Sequence, residues 1–166
     1  MDVRLFSEKY AVRRMTDADM PLMLGLCRGN PTYYRFCPPF VTEDALRGDL
    51  RALPPKKTAE DKYFVGYFDG ERLIALLDLI ERYPDGNTAF IGFFMTDASV
   101  QHKGVGSAII AELCGFLRAQ GFGAVRLGWI KGNMQSKSFW RKNGFTETGV
   151  ESVQELYTVT IAQKEL

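Results

Sequence analysis

A run of small and polar residues, Gln101-His102-Lys103-Gly104-Val105-Gly106-Ser107, separates an apolar, strand-like segment from a long amphipathic stretch. The chemistry such a run supports is anion binding. Glycines let the backbone approach a phosphate closely, and the first N–H groups of a following helix have no partner of their own. With the helix dipole behind them, those donors hold a phosphate without many lysines. Ser107 can add a hydroxyl and Lys103 a charge, while His102 is expected to offer its backbone N–H. Two other phosphate loops fail on this sequence. A dinucleotide loop needs a third small residue where bulky Ile109 stands, and an acidic residue where Gly128-Trp129-Ile130 stands. The Gly-Lys-Ser/Thr ending of a nucleotide-triphosphate loop is absent.

Groups able to move protons are sparse. Asp78 interrupts the apolar run Leu76-Leu77-Asp78-Leu79-Ile80, where burial would raise its proton affinity. The plain alternative is a carboxylate paired inside the core. Glu81, nearer the strand end, reads as solvated. Tyr157 offers a phenol on a late strand. Tyr33, Tyr34 and Phe36 suit either core packing or an acceptor wall, and Cys114 repeats the core spacing of Ile110 and Leu117. Three cysteines without a close pair, and a single histidine, argue against zinc.

The net charge of +1, from 21 basic and 20 acidic residues, argues against nucleic acid or a membrane as partner. No apolar run at the N-terminus matches a signal or a span, so a cytoplasmic location is the expectation. The 166 residues suit a single domain, 1–166.

The elements that must position these groups can be traced in outline. A first strand is expected over Tyr10–Met15, then a helix from Thr16 to about Gly29. An irregular aromatic linker (Tyr33 to Phe36) follows, and a second helix over Thr42–Leu50. Tyr63–Phe68, Arg72–Glu81 and Ala89–Thr96 read as an antiparallel meander, with turns at Asp69-Gly70 and Pro84-Asp85-Gly86-Asn87. A helix over Gly104–Gln120 and a strand over Ala124–Ile130 form a crossover that makes the flanking strands parallel. A short helix (Asn133–Lys142) and strands at Gly144-Phe145 and Glu155–Ile161 complete the reading.

The Gln-x-x-Gly-x-Gly core within Thr96–Ser107 is similar to the coenzyme A signature of the GNAT (GCN5-related) N-acetyltransferases. The stretch Asn133-Met134-Gln135-Ser136-Lys137-Ser138-Phe139-Trp140, followed by Asn143-Gly144-Phe145, resembles that family's second motif. The match covers residues 89 to 146. It implies an α/β fold with a mixed, mostly antiparallel sheet, splayed between its fourth and fifth strands and flanked by helices. By the same resemblance acetyl-CoA is the cosubstrate, with pantetheine lying in the splay against backbone groups of Phe94, Met95 and Thr96. Gln101, His102, Lys103, Gly104, Val105, Gly106 and Ser107 would take the pyrophosphate, and Asn133 would contact the cofactor where the fifth strand ends.

The implied reaction is direct attack of a neutral primary amine of a small molecule on the thioester. Asp78 is the candidate base and Tyr157 the candidate acid. Two departures stand out. Trp140 occupies the position where many members have an acidic tyrosine, and indole is far too weak an acid to replace it. Gly128 stands where peptide-modifying members carry a glutamate, which disfavours a peptide amine. A non-catalytic acyl-CoA-binding module is the rival from another class. A homodimer is the family's common assembly.

Overall fold

The computed structural model describes residues 1–166. Seven strands form one open sheet: β1 (Ala11–Arg14), β2 (Lys62–Asp69), β3 (Arg72–Ile80), β4 (Thr88–Thr96), β5 (Ala124–Ile130), β6 (Thr146–Val153) and β7 (Thr158–Glu165). Their order is β1-β2-β3-β4-β5-β7-β6, and all neighbours are antiparallel except β4 and β5. The helices are α1 (Met20–Arg28), α2 (Pro31–Phe36), α3 (Glu43–Arg51), α4 (Val105–Ala119) and α5 (Met134–Lys142).

Strand alternation sends side chains to two cores. On one face Tyr63, Val65, Leu77, Leu79 and Ile91 join Ile109, Leu113 and Leu117 of α4, with Trp140 of α5, in a cluster of 24 buried residues. On the other face Phe64, Phe68, Leu73, Leu76 and Met95 meet Met23, Leu24 and Cys27 of α1 and Leu46 of α3, in a cluster of 13. Asp78 falls on this second face because it follows Leu77 by one residue.

The parallel β4–β5 pairing runs only from Thr88↔Ala124 to Ile91↔Leu127. Beyond it the strands part, leaving the β5-facing edge of Gly92–Thr96 without a neighbouring strand. The divergence begins at a bulge: Ile91 pairs with Leu79 and Phe93 with Asp78, so Gly92 is the extra residue. A Cβ at Gly92 would stand 2.7 Å from Asp78 Oδ2, so only glycine leaves room for that carboxylate. The bulge also shifts the strand's phase. Ile91 and Phe94 share the α4–α5 face, while Phe93 and Met95 turn toward α1 and α3.

Three local expectations change. The aromatic linker is a short helix, α2, whose first residue is Pro31; proline's fixed φ and missing N–H suit a first helical turn. The β2–β3 turn is Gly70-Glu71, with Asp69 paired to Arg72 and Gly70 at φ +61°. The last two strands are longer than expected, and Tyr157 sits in the turn between them, where the Gln154 amide donates to the Tyr157 carbonyl at 2.8 Å. No helix is long and apolar enough to cross a membrane.

Candidate active site

The helix α4 begins where the glycine-rich run ends. Gly104 caps it at φ +81°, a left-handed conformation that glycine adopts without steric cost, and His102 also has positive φ (+59°). The first helical bond runs from the Ala108 amide to the Gly104 carbonyl, at 3.0 Å. The amides of Val105, Gly106 and Ser107 therefore point out of the helix end without an acceptor. They open on a cleft of about 630 Å³ between the splayed end of β4, the start of α4 and the face of α5. Gly106 is needed for clearance: a Cβ there would sit 3.2 Å from Phe139 and 3.4 Å from the Thr96 methyl.

The sequence-derived donor residues converge unevenly. Phe94, Met95, Thr96, Gln101, His102, Gly104, Gly106, Ser107 and Asn133 all line the cleft. Val105 turns its side chain to the core, leaving its amide for the cleft, and Lys103 is exposed beside the loop. The Gln101 side-chain nitrogen donates to Asn30 Oδ1 at 2.6 Å and to the Thr96 carbonyl at 3.3 Å, so it ties the loop to β4 and α1. Asn133 is buried, and its Oδ1 accepts from the Ser136 amide at 3.0 Å, capping α5. Asn30, whose Nδ2 donates to the Thr96 carbonyl at 3.1 Å, escaped the sequence reading because it resembled only a helix stop.

At its inner end the cleft meets a small cavity of about 50 Å³ inside the splay. Tyr33, Phe94, Asn133, Ser136 and Trp140 line both spaces. Trp140 is buried among Phe94, Phe139 and Phe145, with ring centroids 5.8, 4.9 and 5.1 Å away. Tyr33 approaches from the opposite face of the sheet, edge-on to Phe93 at 5.9 Å. Among the residues lining the inner cavity it is the only one with an ionisable side chain.

Asp78 lies just behind this cavity. It lines neither space, but Gly92, against which its carboxylate packs, does line the inner one. Lys62 Nζ is 2.7 Å from Asp78 Oδ2, both residues are buried, and Oδ1 has no hydrogen-bond partner. Burial raises the Asp78 pKa, against the opposing pull of Lys62. Tyr157 stands beside Cys37, and burial and that thiol raise its pKa; burial raises Tyr33 well above the usual phenol range as well.

The profile of the acetyltransferase (GNAT) family matches residues 30–145. The chain belongs to that family. GNAT structures of similar fold include an acetyltransferase from Thermus thermophilus, 19% identical, with a TM-score of 0.77 and coverage of 95% of this chain and 97% of that one. The PaiA N-acetyltransferase of Thermoplasma acidophilum in complex with coenzyme A is 19% identical, with a TM-score of 0.67 and coverage of 95% and 99%. The ribosomal-protein-S18-alanine N-acetyltransferase of Escherichia coli is 12% identical, at 0.67, with coverage of 94% and 93%. Among curated proteins none matches the sequence. GNAT enzymes use acetyl-CoA, and the unbonded amides of Val105, Gly106 and Ser107, the side-chain-free approach at Gly106 and the open edge of β4 fit that cosubstrate.

Proposed function

We propose that this acetyltransferase acts on a primary amine of a small molecule. The observation that carries the reading is the meeting of two spaces at the splay: a long cleft headed by free helix amides, and an inner cavity reached by Tyr33 from the other face. Acetyl-CoA supplies an activated acetyl group. The amides of Val105, Gly106 and Ser107 are assigned to its pyrophosphate, the open edge of Phe94, Met95 and Thr96 to its pantetheine amides, and Asn133 to the same arm. An amine attacks only when neutral, so a proton must leave it. Asp78 is assigned as acceptor through water across Gly92, the cavity-lining residue against which its Oδ2 lies, with Lys62 holding the same oxygen. Tyr157 is assigned as proton donor on the same face. A small acceptor is favoured over a peptide because Gly128 stands where peptide-modifying members carry a glutamate.

The test is thiol release from acetyl-CoA over a panel of amines. Amine-dependent release is expected; coenzyme A binding without it would make the protein a binding module. Asp78→Asn should lower kcat by about 100-fold, the usual scale for a positioned base, while coenzyme A binding stays close to that of the parent. Parental kcat across the pH range would leave Asp78 a structural role.

A further inference from the structure

The strand β4 connects the cleft to the inner cavity. Gly106, at the head of α4, lies against Thr96, since a Cβ there would stand 3.4 Å from the Thr96 methyl. From Thr96 the strand runs back through Met95 and Phe94, which line the cleft, to Gly92 and Ile91, which line the inner cavity alone. A pantetheine arm that leaves its phosphates at the α4 amides and follows this edge brings its thioester end to the inner cavity. The two faces of that cavity differ. Toward α1 and α3 it is bounded by Gly92 and Gly128, whose missing side chains would point at Asp78 and Val159. Toward α4 and α5 it meets Ile91, Leu127, Trp129 and Trp140, each no more than 6% exposed and all members of the larger core.

An amine arriving on the glycine side leaves the opposite wall to the acyl chain. That wall is apolar, so it stabilises the hydrocarbon part of an acyl group by keeping it from water. Its room is small. The cavity holds about 50 Å³, less than two water molecules occupy in the liquid, at about 30 Å³ each. An acetyl group fills such a space, and close-packed core side chains do not yield to added methylenes without strain. Trp140 is the wall residue supplied from outside the sheet, and it borders cleft and cavity alike. It has no free direction in which to swing, because Phe94, Phe139 and Phe145 pack around the indole. We infer that Trp140 sets the acyl length: the buried indole admits an acetyl group and excludes chains two or more carbons longer. The inference rests on the assignment of the open β4 edge to the pantetheine arm.

Calorimetric binding of coenzyme A, acetyl-CoA and butyryl-CoA tests this without knowledge of the acceptor. Butyryl-CoA should bind about 10-fold or more weakly than acetyl-CoA, the lower end of what a methylene decides in a closed apolar pocket. Trp140→Phe keeps a ring in the core but vacates part of the indole's volume beside the cavity. It should bring butyryl-CoA to within about threefold of acetyl-CoA. A merely structural role for Trp140 would weaken both thioesters alike and leave their ratio where it was. Equal affinity of the parent protein for the two thioesters, or a ratio unmoved by Trp140→Phe, overturns the inference. Should Trp140→Phe not fold, Ile91→Val in the same wall takes its place, with the ratio narrowing about threefold; an unchanged ratio there overturns the inference equally. Failure to bind coenzyme A itself is a different result: it removes the pantetheine assignment, and the inference falls with it.

Discussion

The two sides of the splay are built from different materials. On the α4–α5 side the ligand-facing groups are mostly main chain: the amides of Val105, Gly106 and Ser107 and the open edge of β4. On the α1–α3 side they are side chains, Tyr33 and Phe93, with the buried Asp78–Lys62 pair behind them. Main-chain groups are positioned by the fold itself and ask of the sequence only glycine where space is short. A side-chain surface depends on each residue's identity, and its chemistry changes with single substitutions.

The largest effect that would sharpen this contrast is expected at Lys62. Lys62→Met leaves the Asp78 carboxylate buried without its partner, and should cost about 3–5 kcal/mol of stability near neutral pH. Asp78 has a folded pKa above its unfolded value, so its contribution is fully present at low pH and is lost as pH rises through the folded pKa. Denaturant melts should therefore show the variant recovering stability as pH falls through the folded pKa, with the recovery complete below about pH 4, where the unfolded carboxyl is also protonated. A deficit equal at all pH values would mean that packing, not charge, holds this face together.

Next comes Gly106→Trp, aimed at the main-chain side. The indole would fill the approach to the free amides, and coenzyme A affinity by calorimetry should fall at least 100-fold, about 2.7 kcal/mol. Unchanged affinity would break the assignment of that helix end. The smallest effect is expected at Asn133, one of the few side chains that matter on this side. Asn133→Ala removes the α5 cap and should cost about 1 kcal/mol in thermal or chemical melts. A loss of coenzyme A affinity beyond that seen for other α5 cap changes would give Asn133 a direct ligand contact.

The same contrast explains what was legible in the sequence. The donor loop could be read because glycine spacing before a helix carries a backbone geometry, and Gln101, His102, Gly104, Gly106 and Ser107 line the cleft. The sheet could be read from its apolar runs and turns, down to the parallel crossover of β4 and β5. Gln101 was read as a ligand-facing residue, yet its side chain is spent on Asn30 and Thr96, a contact 71 residues away in the chain that spacing cannot reveal. The segment Tyr33–Phe36 gave no helical period in its few residues, so α2 and the place of Tyr33 at the cavity emerged only from tertiary packing. Asp78 was visible as a charge in an apolar strand, but its partner Lys62 lies across β2 and depends on register.

Gly92 has a consequence for how this chain can change its length. The extra residue in β4 lets Phe94, three places on, share the face of Ile91, while Phe93 turns to the other. Removing Gly92 would take out the bulge together with its residue: Phe93 would follow Ile91 directly, in the register that already pairs it with Asp78, and the side chains from Phe93 to Thr96 would keep their faces. A single deletion elsewhere in β4 removes or displaces a wall residue; at position 92 it would remove only the bend that the bulge puts into the strand.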